Sequence, residues 1–369
     1  MSLTTRAAVL RTADGRFGIE DLVLGPIGPQ ELLVRIAGTG MCHTDLLARG
    51  PAFAAVLLPA VLGHEGAGVV AAVGNGITDF AVGDHVVLSF DSCGGCPQCR
   101  DGEPAYCREF GGSNMSGRRR DGSQGAIASD GTAVNSRWFG QSSYAGLAVA
   151  TERNAVKVDP SLPLELLGPL GCGLQTGAGA VLNEMDLRPG QSIAVFGAGA
   201  VGLAAVMAAK IAGAADIVVV DLHPRRLDMA LELGATRVYP GDQEDLAARI
   251  VGGGTGVDHS LDTSSVPAVM ATAIAVLAPR GGAVLVGGGP GMLTIHPSQL
   301  AGRRLTYVVE GSANPREFIP ILLEHWRAGR FPFDRFVRTY PLAEINRAEA
   351  DSSSGATIKP VLIPDGAGQ

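Results

Sequence analysis

Short apolar runs with frequent turns fill the first part of the chain. Examples lie at residues 32–36, 67–73 and 85–88, and Gly, Pro and Asp separate them without intervening helical periodicity. Runs of this length with turn residues between them are typical of antiparallel strands. Residues 1–173 are therefore predicted to form a mainly antiparallel β domain.

The pattern changes after residue 173, where apolar, β-branched runs alternate with helical segments. Such alternation predicts a doubly wound parallel sheet with helices on both faces. We expect six strands, at residues 192–196, 217–220, 237–239, 259–262, 283–286 and 306–309, with helices at 201–212, 224–233, 246–251 and 266–276.

The last part of the chain is predicted to return to the first domain. An amphipathic helix is expected at 319–326 and a final strand at 358–363, followed by a disordered tail at 365–369. The expected organisation is a parallel-sheet domain at 174–312 inserted into a β domain made of 1–173 and 313–369.

One stretch, residues 192–221, has the order of a dinucleotide-binding unit: strand, glycine turn, Ala-rich helix, strand and terminal acid. Gly197 permits a tight turn, Gly199 lets the backbone approach a pyrophosphate, and Gly202 allows close packing of helix and strand. The helix N-terminus then faces the phosphates. Asp221 is placed to bind ribose hydroxyls and to repel a 2′-phosphate, which favours NAD over NADP. This predicts a Rossmann coenzyme domain.

Composition restricts the possible partners. The 369 residues carry a net charge of −7 with 46% hydrophobic and 18% charged residues. This balance argues against nucleic acid or an anionic membrane surface as partner. The N-terminus lacks the apolar core of a signal peptide, and no apolar run approaches the ~20 residues of a spanning helix. We expect a cytoplasmic protein.

Four of the six cysteines form a compact C-x2-C-x2-C-x7-C pattern at Cys93, Cys96, Cys99 and Cys107, within a lobe at residues 90–110. Four thiolates can enclose a tetrahedral zinc with no open position, which is typical of a structural site. An iron–sulfur cluster is the competing interpretation, but ferredoxin-type runs have a shorter final spacing and a following proline. The third interpretation is a lobe that binds no metal.

The remaining cysteines, Cys42 and Cys172, combine with His64 into a looser set. Two thiolates and one imidazole with a fourth position open make a catalytic zinc arrangement. The alternative is that all three are ordinary buried residues.

Taken together, these motifs closely resemble the zinc-dependent medium-chain alcohol dehydrogenases over nearly the whole chain. The resemblance rests on G-H-E-G-A-G at 63–68, the four-cysteine lobe, G-C-G-L-Q-T-G at 171–177 and V-F-G-A-G-A-V-G at 195–202. The segments at 138–144, 310–320 and 329–334 are similar to the aryl-alcohol (benzyl alcohol) dehydrogenase branch. The family implies a GroES-like catalytic domain, two zinc ions per chain, NAD, and a homodimer or homotetramer.

The resemblance also implies roles for single residues. Thr44 would bond the substrate oxygen and pass on its proton, Glu65 would lie behind the metal, and Asp45 would orient His64. The positions implied to contact the cofactor are His43 and Lys359 at the pyrophosphate, Arg226 near the adenosine ribose, and Thr176, Val286 and Gly287 beside the nicotinamide.

This chain departs from the family at two of these places. Leu47 stands where many members carry a relay histidine, so the proton route beyond Thr44 must differ, by way of the ribose hydroxyl and water or of His43. Lys359 stands where many relatives have an arginine, and a lysine supplies charge without a bidentate fork.

The segment at residues 51–62 has no charge and no hydrogen-bonding side chain. It is either a buried core segment or, with Leu47, Phe90 and Trp138, the lining of an apolar pocket. The second interpretation predicts an aromatic, allylic or terpenoid primary alcohol, such as benzyl alcohol or geraniol. Within the family, a glutathione-dependent formaldehyde dehydrogenase or a general short-chain alcohol dehydrogenase is the alternative. The non-enzymatic alternative is a zinc- and nucleotide-binding sensor that does not turn over a substrate.

Overall fold

The computed structural model describes residues 3–365. The tail prediction for 366–369 lies outside the described residues. The strands are β1 Leu3–Leu10, β2 Gly18–Leu24, β3 Glu31–Gly40, β4 Ala60–Val61, β5 Gly66–Val73, β6 His85–Leu88, β7 Gly125–Ala128, β8 Ala133–Asn135, β9 Leu147–Thr151, β10 Ala155–Lys157, β11 Ser192–Phe196, β12 Asp216–Asp221, β13 Arg237–Pro240, β14 Val257–Asp262, β15 Leu277–Leu285, β16 Arg304–Tyr307, β17 Val337–Pro341 and β18 Lys359–Ile363.

The α-helices are mostly short in the first half of the chain and longer in the second. They are α1 His43–Leu46, α2 Pro51–Leu57, α3 Pro97–Arg100, α4 Phe110–Asn114, α5 Gly173–Gly179, α6 Ala200–Ala212, α7 Pro224–Leu233, α8 Leu246–Val251, α9 Pro267–Ala275, α10 Pro315–Arg327 and α11 Ile345–Ser353. No helix within residues 3–365 is long and apolar enough to cross a bilayer.

The chain divides into two compact units. The first contains residues 1–172, 314–320 and 337–369, and the second contains 173–313 and 321–336. The expected C-terminal segment, 313–369, is therefore split. The second half of α10 and the turn after it belong with the parallel-sheet unit, where Arg335 forms an ion pair with Glu232 of α7.

The first unit is built from a closed barrel and an open sheet. The barrel order is β1-β2-β7-β8-β4, and β4 pairs back with β1. The open sheet runs β10-β6-β5-β3-β18-β17, with β9 also on β3. Large side chains such as Leu10, Leu22, Trp138 and Tyr144 fill one core cluster here. Most pairs are antiparallel, which confirms the predicted mainly antiparallel class.

The second unit confirms the doubly wound parallel sheet. Its order is β13-β12-β11-β14-β15-β16, with every pair parallel. The order reverses beside β11, and ligands bind at the carboxyl ends of strands at such a switch point. β15 begins at Leu277, before the predicted residue 283, and it continues through Arg280, which has a φ of 69°.

The uncharged segment at residues 51–62 is only in part a buried core segment. Pro51–Leu57 is α2, in which Leu57 is buried but Val56 is 63% exposed. Only the following β4 is fully buried. The segment thus combines a partly exposed apolar helix with a buried strand, and Phe53 of the helix packs against Trp138.

Candidate active site

Two clusters of metal-ligating side chains lie in the first unit. In each cluster, the ligand atoms are within 4.8 Å of one another. The first cluster is Cys93, Cys96, Cys99 and Cys107; the second is Cys42, His64, Glu65 and Cys172. The sequence predicted both sets, from four local cysteines in one case and three dispersed residues in the other.

The four-cysteine cluster has the dimensions of a tetrahedral site. The Sγ atoms of Cys93 and Cys99 are 3.9 Å apart, and those of Cys96 and Cys99 are 3.5 Å apart. Zinc–sulfur bonds of about 2.3 Å at tetrahedral angles place the sulfurs about 3.8 Å apart. A disulfide would require about 2.05 Å. These residues therefore fit zinc.

Backbone N–H groups around this cluster favour thiolates. The N–H of Cys96 donates to Cys93 Sγ at 3.2 Å, and the N–H of Cys93 donates to Cys107 Sγ at 3.2 Å. Backbone donors lower the pKa of Cys96 to about 6, whereas burial raises the pKa of Cys107 to about 12. Metal binding must therefore displace a proton from Cys107.

The second cluster is assembled from three chain segments. Cys42 lies between β3 and α1, and its backbone N–H is 3.3 Å from Asp45 Oδ2. His64 lies between β4 and β5, and Cys172 follows a 3-10 turn at Gly168–Gly171. The His64 Nε2 and Cys172 Sγ atoms are 3.2 Å apart. Tetrahedral zinc would separate them by about 3.6 Å, so these residues also fit the metal.

The charges of this cluster match a bound cation. A hydrogen bond with Cys172 and the charge of His64 hold the pKa of the Cys42 thiol well below its usual range, against the effect of burial. Burial lowers the pKa of His64, but the Asp45 carboxylate and Cys42 thiolate outweigh it and raise the pKa well above the ordinary value. A metal bound at His64 Nε2 must therefore displace a proton from the imidazole.

Asp45 fixes which ring nitrogen faces the cluster. Its Oδ1 is 2.7 Å from His64 Nδ1, and both side chains are buried. Because a carboxylate only accepts hydrogen bonds, Nδ1 carries the proton and Nε2 keeps its lone pair for a metal. Thr44 lies on the same helix, with Oγ1 3.7 Å from Cys42 Sγ. His43 is exposed and Leu47 half-buried.

Lys359 is enclosed in the first unit as the partner of Glu65. Its ammonium group donates to both oxygens of Glu65, at 2.8 and 2.7 Å, and to the carbonyl of Met41 at 3.0 Å. The residue is 3% exposed. A lysine has three N–H donors, and all three are used inside the first unit. Lys359 is therefore the counter-ion of Glu65, and its expected contact with the pyrophosphate stays a prediction.

Two residues expected to line the substrate pocket are also enclosed. Trp138 is 1% exposed and Phe90 is 2% exposed. The indole N–H of Trp138 donates to Asp45 Oδ1 at 3.0 Å, and the Phe90 ring packs against Phe110 with 5.7 Å between centroids. Both side chains therefore offer almost no surface to a ligand, and Trp138 contacts the site through Asp45.

The second unit carries the dinucleotide-binding turn. Gly197 has a φ of 97°, and the backbone N–H of Ala198 donates to Asp221 Oδ2 at 2.7 Å. A Cβ on Gly202 would lie 1.8 Å from the carbonyl oxygen of Gly197, so only glycine fits there. Gly199 is the N-cap residue of α6, and a Cβ added to it would meet no atom within 4 Å.

A cavity of about 470 Å³ opens beside this turn. Gly197, Gly199, Asp221 and Arg226 are among its lining residues. The guanidinium of Arg226 is 3.8 Å from Asp221 Oδ2, so the basic side chain lies near the carboxylate. The cavity has the charge and position expected for the adenosine end of a dinucleotide.

The residues expected beside the nicotinamide also lie in the second unit. Thr176 is buried in α5, and its Oγ1 is 3.5 Å from Glu310 Oε2. Val286 and Gly287 directly follow β15, at the carboxyl end of that strand. Glu310 opens the 310–320 segment but was assigned no role from the sequence; it has a φ of 50° and also accepts a hydrogen bond from the Gln175 amide.

Both domain families are recognisable in the sequence. Residues 28–160 match the alcohol dehydrogenase GroES-like domain, and residues 200–324 match the zinc-binding dehydrogenase domain. The chain is similar to the geraniol dehydrogenase of Castellaniella defragrans, with 45% identity over 98% of each chain.

Solved structures agree with this similarity. A zinc-binding-domain alcohol dehydrogenase protein from Burkholderia ambifaria has a TM-score of 0.95 at 47% identity, covering 98% of this chain and 99% of its own. Benzyl alcohol dehydrogenase from Acinetobacter calcoaceticus has a TM-score of 0.94 at 41% identity, with the same coverage.

Proposed function

The chain belongs to the zinc-binding alcohol dehydrogenases, and we propose that it oxidises apolar primary alcohols of the aromatic, allylic or terpenoid class, reversibly, with NAD. Benzyl alcohol and geraniol are the model substrates. The observation that carries the proposal is the uncharged α2 directly after the Cys42 segment. The names of the geraniol and benzyl alcohol dehydrogenases support the same substrate class.

The catalytic residues proposed are Cys42, His64 and Cys172 as metal ligands, with Thr44 at the substrate oxygen. Bound zinc would act as a Lewis acid on the alcohol oxygen, and oxidised nicotinamide would accept the hydride. Thr44 Oγ1 would take the hydroxyl proton. Because Leu47 cannot relay it, the exposed His43 on the same helix offers one exit to solvent.

The proposed metal content is two zinc ions per chain, one in each ligand cluster. Metal analysis of the purified protein tests this stoichiometry. Cys107→Ser should reduce the content to one ion and leave the Cys42 cluster loaded. Retention of two ions in the variant would contradict the assignment. Two sets of unoxidised thiols also suit the reducing cytoplasm, where we propose that the protein works.

The substrate class is tested by following NADH formation with benzyl alcohol, geraniol, ethanol and S-(hydroxymethyl)glutathione. We expect kcat/KM for the first two to exceed that for ethanol by at least about 100-fold, since each buried CH₂ contributes about 0.8 kcal/mol. Turnover confined to the glutathione adduct or to ethanol would refute the substrate proposal. Absence of turnover with any alcohol would favour the sensor alternative.

NAD is proposed over NADP because of Asp221. A carboxylate about 4 Å from a 2′-phosphate would cost about 4 kcal/mol per charge at an effective dielectric constant of 20. Asp221→Asn keeps the shape and the acceptor for Ala198, so the preference for NAD should fall at least about 10-fold. The matched control is Asp228→Asn on the exposed side of α7. Equal coenzyme preference in wild type and Asp221→Asn would contradict the role.

A homodimer or homotetramer is proposed as the assembly. Within the described chain, β16 is an edge strand of the six-stranded sheet, and its Tyr307 is 55% exposed. Met292, before this strand, is 84% exposed. Unpaired strand edges with apolar side chains are typical of interfaces. Light scattering of the purified protein measures the mass, and a monomer would refute the proposal.

A further inference from the structure

Residues 138–144, here called the support segment, surround the Asp45–His64 pair. The indole N–H of Trp138 is 3.0 Å from Asp45 Oδ1, and the hydroxyl of Tyr144 is 2.7 Å from Asp45 Oδ2. The Phe139 ring stacks on the His64 imidazole, with 4.5 Å between centroids and 30° between planes. A single segment therefore contacts the carboxylate from two directions and the imidazole from a third.

The support segment also holds the backbone at His64. The amide of Gln141 donates to the carbonyl of His64 at 2.9 Å and accepts from the N–H of Gly66 at 3.0 Å. Phe139 has a φ of 51°, in the left-handed region that residues other than glycine seldom adopt. That conformation turns the Phe139 ring onto the imidazole, while the neighbouring Trp138 side chain turns towards Asp45.

Asp45 is saturated with donors. Oδ1 accepts from His64, Trp138 and the backbone N–H of Gly63, and Oδ2 accepts from Tyr144 and the N–H of Cys42. The residue is 1% exposed. A buried carboxylate held by five donors has no freedom to rotate or to turn away from the imidazole. Its orientation is thus decided by the two aromatic side chains together with two backbone groups.

The polar tips of Trp138 and Tyr144 are not needed for packing. Both rings are fully enclosed in the apolar core, where phenylalanine would fill most of the space without burying a polar atom. Burying an indole N–H or a hydroxyl is unfavourable unless it is hydrogen-bonded, and each has Asp45 as its partner. Tryptophan at 138 and tyrosine at 144 are thus explained by their hydrogen bonds to the Asp45 carboxylate and not by core packing.

We propose that Trp138 and Tyr144 are positioning residues that lock Asp45, and through it His64 Nε2, in the metal-binding orientation. The inference rests on the proposed function, because it assumes that Cys42, His64 and Cys172 hold zinc. The consequence is kinetic and spectroscopic: without these two donors, the imidazole gains freedom and the metal leaves this site sooner. The four-cysteine site is unaffected.

The test uses Tyr144→Phe and Trp138→Phe, which retain a ring and remove one donor. Tyr340→Phe is the matched control, because Tyr340 is a buried tyrosine of the same unit whose hydroxyl bonds Asp351 and Thr357. Each purified holoenzyme is exposed to a chromogenic chelator, and the rate of zinc release is followed. The cobalt-substituted proteins are compared by visible absorption.

We expect Tyr144→Phe and Trp138→Phe each to speed zinc loss at least about 10-fold and to shift the cobalt absorption bands, since partners of metal-bound histidines have effects of this size. Tyr340→Phe should lower the melting temperature similarly but leave both readouts as in wild type. Equal zinc release and spectra in Tyr144→Phe and Tyr340→Phe would overturn the inference. A wild type without metal at the histidine site would instead refute the proposed function.

Discussion

Replacing Lys359 by methionine should strongly destabilise the first unit. The mutation removes the partner of Glu65, which is fully buried and faces the ammonium through both carboxylate oxygens. Breaking a buried ion pair from one side costs about 3–5 kcal/mol, because an uncompensated charge stays behind. For a domain of this size, 1 kcal/mol corresponds to about 2–4 °C, so the melting temperature should fall by about 6–20 °C.

The assay is a double-mutant cycle on the zinc-loaded protein, measured by circular dichroism. Glu65→Met alone should cost a similar amount, since it leaves a buried ammonium. The double variant Glu65→Met/Lys359→Met should recover most of the loss, because apolar residues of similar volume replace a buried pair at little cost. Strictly additive losses would refute the reasoning, and so would a Lys359→Met protein as stable as wild type.

Two further predictions concern the dinucleotide turn and the four-cysteine site. Gly202→Ala should cost about 1–3 kcal/mol and abolish tight NADH binding, because its Cβ would meet the Gly197 carbonyl oxygen at 1.8 Å. Gly199→Ala is the control for stability, because a Cβ there would meet no atom within 4 Å and the melting temperature should be unchanged. An equal loss of thermal stability in the two variants would contradict the argument. For the metal, burial raises the pKa of Cys99 and raises that of Cys107 to about 12, so zinc must displace both protons at neutral pH. Affinity at this site should therefore increase with pH, by about 100-fold per unit for two protons, and a pH-indicator titration releasing fewer than two protons per zinc would contradict it.

Patterns that are local in the chain were sufficient for much of the architecture. The parallel sheet followed from apolar runs that alternate with helices, since each strand and helix has its own periodicity. The glycine turn with Asp221 and the four cysteines lie within about 30 residues each, so spacing alone indicates their chemistry. Cys42, His64 and Cys172 are far apart in sequence, so the pattern alone left open whether they are metal ligands or ordinary buried residues.

The hydrogen-bond partners of buried polar groups were decided only by the tertiary structure. Lys359 and Glu65 are 294 residues apart, and Trp138 and Tyr144 lie 93 and 99 residues from Asp45. A sequence pattern identifies such residues as core or pocket candidates, but the partner of an ammonium or an indole N–H depends on which segments meet in space. The sequence by itself thus determined the fold class and the kinds of ligand, and packing determined which side chains hold those ligands in place, because a buried donor must find its acceptor wherever the fold brings one.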